Sequence, residues 1–209
     1  MTPKVPDSLR PPRRWHALTL ALPLTLLMAL PAAAQAPTPD EAAALAAGEP
    51  AVNVAMDSAI DAARVRAAID IPAPPATVWS VMTDCAHMMR FVPGLESCRV
   101  VEADPQGRWD VREHKINWAW FLPNIRTVFR ADYDKPKTIK FRRIGGDLKM
   151  SEGQWRLVPR DGGTRLLYDA LVAADVPVPN FVVLEAIRTD MAKVLRQLRA
   201  ECAAVSRAQ

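Results

Sequence analysis

A single long amphipathic helix is predicted near the end of the chain, after a series of strand-like segments. Apolar residues recur there at steps of three and four, and basic residues lie on the opposite side. Asn180, which follows Pro179 directly, can cap the start of the helix. The apolar stripe consists of Leu184, Ile187, Met191, Val194, Leu195, Leu198, Cys202 and Val205. Because no other predicted helix is comparably long, this one must cover the apolar face of any sheet that forms before it.

The segments that precede this helix are predicted to be strands joined by turns. Residues 64–71 alternate apolar and polar side chains, which is typical of a half-buried strand. Two short helices come next, one that contains residues 78–82 and one that contains residues 88–91. Six more strands are then predicted, at 95–102, 109–116, 125–133, 138–144, 153–159 and 164–173. This order predicts an α+β fold in which a curved antiparallel sheet of about six or seven strands wraps over the C-terminal helix.

Short motifs along the sheet-forming region carry a family resemblance. They are Ile69-Asp-Ile-Pro-Ala73, Val78-Trp79, Val81-Met-Thr-Asp84, Phe91-Val-Pro-Gly-Leu95, Ser97-Cys-Arg-Val-Val101, Gly153-Gln-Trp-Arg-Leu157 and Gly162-Gly-Thr-Arg-Leu166. Over about 64–205 the chain resembles the START-like helix-grip (SRPBCC) superfamily, and it is most similar to the branch of polyketide cyclase-like and coenzyme-Q-binding proteins. The resemblance implies a cavity between sheet and helix that binds a hydrophobic small molecule. Some members are enzymes, and these motifs do not identify a ligand.

The first 34 residues have the three parts of a secretory signal peptide. Arg10, Arg13 and Arg14 form a basic start, an apolar run follows over 15–30, and Ala32-Ala33-Ala34 offers a small-residue cleavage site. The alternative is an uncleaved membrane anchor, but the run is short and interrupted by proline for a segment that must span ~30 Å of hydrocarbon. We therefore expect an exported protein, periplasmic or secreted, whose mature chain begins near Gln35. Export also distinguishes it from the intracellular quinone-binding members.

The region between leader and domain is rich in alanine, proline and acidic residues. We predict a flexible spacer over 35–60, in which 51–55 could form a short strand. A helix over 42–47 would be marginal unless it had a face to pack against. The START-like domain is then predicted to occupy 61–206.

Charge argues against a nucleic-acid partner. The leader holds four of the 27 basic residues and one of the 23 acidic residues, so the net charge falls from +4 for the whole chain to +1 without it. Nucleic-acid binding requires a surplus of basic charge, which the remaining chain lacks overall.

All three cysteines follow the leader. Cys85 and Cys98 are close in sequence, and export would place them in an oxidising compartment, so we predict that they form a disulfide. Cys202 lies on the apolar stripe of the long helix and is expected to pack as a small buried thiol. The sequence has no Cys-x-x-Cys motif and no Cys/His cluster, so neither a metal nor a cofactor is predicted.

Alternation along the strands selects residues for the face that meets the helix. The candidate ligand-binding residues are Phe141, Trp155 and Tyr168 on the strands and Leu184, Ile187, Met191 and Leu195 on the helix. The alternative is that all seven fill the core, which is the usual role of single apolar residues. A binding role requires an unfilled cavity, and the family resemblance, rather than the spacing, favours one.

An unusual aromatic stretch connects two of the predicted strands. Trp118, Trp120 and Phe121 could form an apolar lip at a ligand entrance, able to touch a membrane transiently. Alternatively, Trp118 and Trp120, two positions apart, face the core from one side of an extended strand. The residues alone leave both interpretations open.

Signals for catalysis are few. His87 and His114 are the histidines outside the leader, and Glu113 and His114 should point to opposite faces of their strand. One of them could face a cavity as a general acid or base. Neither a nucleophile motif nor a phosphate-binding loop occurs, so no catalytic residue is assigned.

We therefore expect an exported carrier of a lipid-like or quinone-like molecule rather than an enzyme. The alternatives are a cyclase- or dehydratase-like enzyme that uses the same cavity and an interaction module with a filled core.

Overall fold

The structure, a computed structural model, describes residues 38–117, 124–174 and 178–208. The helices are α1 (Pro39–Ala46), α2 (Pro75–Thr83), α3 (Cys85–Phe91) and α4 (Asn180–Ala208). The strands are β1 (Ala51–Asp57), β2 (Ala62–Ile71), β3 (Leu95–Ala103), β4 (Trp109–Ile116), β5 (Ile125–Asp134), β6 (Thr138–Gly146), β7 (Met150–Arg160) and β8 (Gly163–Ala173). Within the described ranges, no helix combines the length and the apolar character that crossing a membrane requires.

All eight strands form one antiparallel sheet in the order β1-β2-β8-β7-β6-β5-β4-β3. The α+β fold class, the two short helices after the first long strand and the long C-terminal helix are confirmed. The sheet has one strand more than the upper predicted number. The additional strand is β1, which pairs with β2 in a register that places Val54 opposite Val65.

The segment predicted to be a flexible spacer contains regular structure from Pro39 onward. Thr38 and Glu41 form a reciprocal capping box at the start of α1, and Leu45 is buried. The strand proposed at 51–55 is present as β1. The domain therefore includes residues well before 61, because α1 and β1 gain their packing partner from β2, which is a tertiary contact that the local composition does not reveal.

The face of the sheet that α2, α3 and α4 cover is called the inner face here. Cross-strand pairing places Ile139, Trp155 and Tyr168 side by side on it, with Ala67 of β2 next in the row. Below this row lie Leu157, Leu166 and Ile69, of which Leu166 and Ile69 are fully buried. The fold thus has a packed core on the inner face, close to the end of the sheet where the β7–β8 turn lies.

The long helix covers only part of the inner face. Its nearest backbone neighbours are β1, β2, α2 and α3. The C-terminal half of α4 lies at the packed end, where Leu195, Leu198 and Cys202 have no exposed surface. The N-terminal half lies at the other end, beside Val54, Ala63 and Val65. We call these the core end and the open end of the interior.

Candidate functional site

Aromatic side chains from four strands form a continuous row on the inner face. The ring centroids of Trp155 and Tyr168 are 4.2 Å apart, and those of Tyr168 and Phe141 are 6.0 Å apart in a stacked arrangement. Phe129 follows, 6.4 Å from Phe141 and edge-on to it. All four rings are only partly buried. We refer to Phe129, Phe141, Trp155 and Tyr168 as the aromatic row; the three that the sequence predicted to share this face do so.

The helix residues predicted to face the ligand divide into two groups. Leu184, Ile187 and Met191 lie at the open end, half-buried, and they pack in one cluster with Tyr168 and Val172. Leu195 is completely buried in the main core, together with Leu198. Leu195 therefore fills the core, which is the role that the alternative interpretation gave to all seven candidate residues.

Small residues lie immediately beside the aromatic row, and no local sequence pattern singles them out. Ala131, Phe141, Gly153 and Ala170 are successive cross-strand neighbours from β5 to β8. A side chain at Gly153 would meet the Asp169 carbonyl oxygen and the Ala170 methyl group, 2.6 Å away. Three of these four positions therefore contribute little side-chain volume, and the neighbouring strand approaches closely at Gly153.

Apolar residues are exposed at the open end. Phe181 in the first turn of α4 is 72% exposed, and Val182 beside it is 39% exposed. Met56 and Ile60, at the β1–β2 turn, are exposed as well. The predicted lip residues Trp118, Trp120 and Phe121 lie outside the described residues, as do 1–37, which include the predicted leader.

A buried ionic network lies on the inner face of β4 and β5. The Arg112 guanidinium donates to the Asp110 carboxylate at 2.7 Å, to the Thr83 carbonyl oxygen at 2.7 Å and to the Tyr133 hydroxyl oxygen at 3.0 Å. Tyr133 in turn donates to Asp110 at 2.7 Å. Burial raises the pKa of Tyr133, which remains a neutral donor. The network ties the end of α2 to the sheet, and its polar groups satisfy one another.

Two neighbouring residues of β4 point to opposite faces, as the strand alternation predicts. Glu113 lies on the outer face, where Arg99 and Arg126 donate to its carboxylate and thereby lower its pKa. His114 lies on the inner face, 7% exposed, with its ring edge-on to Phe129 at 4.9 Å. Burial and the charge of Arg112 lower the pKa of His114 to about 4. At neutral pH its imidazole is therefore uncharged, which makes it a weak base for catalysis.

The other histidine is engaged in a contact between helices. His87 Nδ1 lies 2.7 Å from Glu201 Oε1, and Arg90 donates to the same oxygen at 2.9 Å. These contacts join α3 to α4. Among the described residues, no group of three His, Cys, Asp or Glu side chains is arranged to hold a metal ion.

A disulfide joins Cys85, at the start of α3, to Cys98 of β3, and the two Cα atoms are 5.4 Å apart. Cys98 is the cross-strand neighbour of His114, so the bridge lies beside that histidine. Cys202 is a buried free thiol in the core, and burial raises its pKa to about 12. The bridge fastens α3 to an edge strand near the interior.

Comparison with solved structures finds the same fold in several proteins. The STAR-related lipid transfer protein from Xanthomonas axonopodis is 16% identical with a TM-score of 0.65, covering 74% of this chain and 93% of that one. The protein TTHA0849 from Thermus thermophilus is 22% identical with a TM-score of 0.61, covering 68% and 99%. The Zhui aromatase/cyclase from Streptomyces sp. R1128 is 17% identical with a TM-score of 0.56, covering 67% and 93%. At these identities the likeness concerns the fold.

The sequence comparisons identify the family. None of the curated proteins that were searched matches the chain. Residues 71–199, which are more than half of it, match the family model described as polyketide cyclase / dehydrase and lipid transport. This stretch begins at the end of β2 and includes most of α4. The chain therefore belongs to the polyketide cyclase / dehydrase and lipid transport family of START-like helix-grip proteins.

Proposed function

We propose that this protein is an exported, non-catalytic carrier of a hydrophobic small molecule, lipid-like or quinone-like, held between the aromatic row and the N-terminal half of α4. One observation carries the proposal. Tyr168 of the aromatic row packs with Leu184, Ile187 and Met191 of α4, and all four side chains are only partly buried, although a filled core would enclose them. A ligand that displaces water from these apolar surfaces gains the free energy of their burial.

The family and the fold support binding of a hydrophobic molecule. The family description includes lipid transport, and one neighbour in structure is named a lipid transfer protein. The small residues Gly153 and Ala170, which are cross-strand neighbours beside the aromatic row, add little side-chain bulk to this part of the inner face. The amino-terminal leader pattern gives such a carrier a physical rationale, because an apolar molecule crosses an aqueous compartment poorly without a shield.

Transient contact with a membrane belongs to the same proposal. Exposed Phe181 and Val182 at the start of α4 could insert between lipid head groups while the ligand enters or leaves. N-terminal sequencing of the exported protein tests the location: a start near Gln35 supports it, and an intact Met1 on a membrane-bound species contradicts it.

The ligand site is tested with a pair of tryptophan variants on α4. Met191→Trp places a large side chain against Tyr168, whereas Lys193→Trp adds the same kind of side chain on the exposed side of the helix. Uptake of a fluorescent fatty-acid analogue should fall at least about tenfold in the first variant and remain unchanged in the second, with both melting close to the parent.

A filled interior predicts a different result for the same pair. Met191→Trp would then overpack the protein and lower the free energy of unfolding by ~1–3 kcal/mol. Unchanged uptake by a stably folded Met191→Trp protein would remove Met191 from the binding site.

The inward position of His114 favours one alternative, a cyclase- or dehydratase-like enzyme that acts in the same interior. A titratable group there could assist proton transfer if substrate binding raised its pKa towards neutrality. Incubation with a reactive poly-β-ketone thioester mimic distinguishes the two: the carrier releases it unchanged, and the enzyme accelerates its cyclisation in a manner that His114→Phe abolishes.

A further inference from the structure

Three buried polar residues, Asp110, Arg112 and His114, lie on the inner face of β4, and the last two differ in their bonding. Arg112 and His114 are two residues apart on the inner face of β4, so their Cα atoms are separated by about 6–7 Å along the strand. All three guanidinium nitrogens of Arg112 donate, to Asp110, Thr83, Tyr133 and the Met88 sulfur. A ligand could reach Arg112 only by breaking this network.

His114 has the opposite character. Its Nε2 atom is buried, and it has no hydrogen-bond partner among the described groups. In the described part of the chain, two other buried side-chain atoms also lack a hydrogen-bond partner. They are Gln197 Oε1 and Ser206 Oγ, in the C-terminal half of α4. Burying an imidazole nitrogen without a hydrogen-bond partner costs the free energy of its lost hydration. Buried nitrogens therefore usually have a hydrogen-bond partner.

The position of His114 indicates what that partner is. Its ring contacts Phe129, the terminal ring of the aromatic row, so the imidazole lies at the end of that row. Cys98 of the disulfide flanks it on the β3 side, and Thr127 is its neighbour on β5. A molecule lying along the aromatic row would therefore bring one end to His114.

We infer that His114 Nε2 is the polar anchor of the carried ligand, and that it selects molecules with an apolar body and one uncharged hydrogen-bonding group, a hydroxyl or a carbonyl. This inference rests on the proposed carrier function and specifies its ligand class. An uncharged imidazole can donate to a carbonyl oxygen or accept from a hydroxyl, according to its tautomer. It offers no net charge to a carboxylate or phosphate, and the cation beside it on the strand, Arg112, already has its carboxylate partner.

A matched pair of probe ligands tests the inference. 1-(2-Naphthyl)ethanol and 2-isopropylnaphthalene have nearly the same shape, and a hydroxyl in the first replaces a methyl group in the second. Their dissociation constants are measured for the parent protein, His114→Phe and His114→Gln. Phenylalanine keeps the ring that packs on Phe129 but removes the hydrogen-bonding nitrogen, whereas glutamine restores a donor and an acceptor.

The expected effect lies in the ratio of the two affinities. His114→Phe should weaken binding of the alcohol relative to the hydrocarbon by about three- to tenfold, the contribution of one hydrogen bond, and His114→Gln should recover part of that preference. On binding the alcohol, but not the hydrocarbon, the parent protein should show a shift of the His114 Nε2 resonance in ¹⁵N NMR. 2-Naphthoate, the anionic probe, should bind less tightly than the alcohol.

The other outcomes overturn the inference in distinguishable ways. If both probes bind and their affinity ratio is the same in all three proteins, His114 is not the anchor, although the carrier function stands. If naphthoate binds best and His114→Phe abolishes that binding, the selected class is anionic and not neutral. If neither neutral probe binds the folded parent protein, the inference fails together with the proposed function.

Discussion

The two halves of α4 present the same apolar stripe to very different surroundings. At the core end, Leu195, Leu198 and Cys202 are fully enclosed by β2, β8 and the short helices. At the open end, Leu184, Ile187 and Met191 have the same spacing but remain half-buried, and Phe181 projects into solvent. Periodicity therefore determines which side of a helix is apolar, and the path of the sheet decides whether that side is packed or available to a ligand.

The largest expected effect distinguishes the two ends directly. Leu198→Ala removes a fully buried side chain from the core and should lower the free energy of unfolding by about 2–5 kcal/mol. Ile187→Ala, at the open end, should cost clearly less, because its side chain already lies partly in water. Chemical denaturation of both variants measures the difference, and equal losses would show that the two ends are packed alike.

Acid should destabilise the protein through the buried side chain of His114. The unfolded chain binds a proton at His114 with a pKa of 6.5, but the folded protein binds it only near 4. The unfolded state therefore holds more protons between these values, and the free energy of unfolding should fall by about 3 kcal/mol as the pH drops from 6.5 to 4.

His114→Phe isolates this contribution, since all other titrating groups are retained. The variant should lose much less stability over the same pH interval. Identical pH dependence in the two proteins would mean that the His114 imidazole is accessible to protons in the native state.

Removal of the disulfide should affect the α3 side of the interior more than the core. Replacing both Cys85 and Cys98 with serine removes a bridge between residues separated by 13 positions. Closing a loop of that length contributes ~3 kcal/mol or less to the free energy of unfolding. Hydrogen exchange should accelerate in α3 and β3 while α4 near Leu198 stays protected. Uniform acceleration throughout the protein would contradict a division into two ends.

The smallest effect on stability is expected at Phe181. Because this side chain is 72% exposed, Phe181→Ser should change the free energy of unfolding by no more than about 0.5 kcal/mol. The same substitution should reduce binding to phospholipid vesicles if the open end touches membranes. Lys193→Ser, on the exposed side of α4, is the control, and equal vesicle binding by parent and both variants would exclude Phe181 from the contact.

Several parts of this structure follow from local sequence patterns. Period-two alternation located β2 and placed Phe141, Trp155 and Tyr168 on one face, and the three-four spacing after Asn180 located α4. These features depend on neighbours in sequence, so a single chain suffices to find them.

Other parts depend on contacts between distant segments. The strand β1 and the helix α1 acquire partners only when β2 is in place, which is why a composition-based spacer was predicted there. Leu184 and Leu195 are equivalent in the stripe, and their difference in burial follows from where α4 crosses β1 and β2. Alternation with Glu113 allows the sequence to suggest that His114 faces the interior. It cannot show that His114 Nε2 lacks a hydrogen-bond partner, because that depends on how the interior is assembled.

Native mass spectrometry of the protein isolated from its own compartment, followed by identification of the extracted molecules, tests the carrier function most directly. We predict a one-to-one complex with a hydrophobic molecule bearing a hydroxyl or carbonyl group, and loss of that complex in Met191→Trp but not in Lys193→Trp. A ligand-free parent protein that also fails to take up added hydrophobic probes would contradict the carrier function.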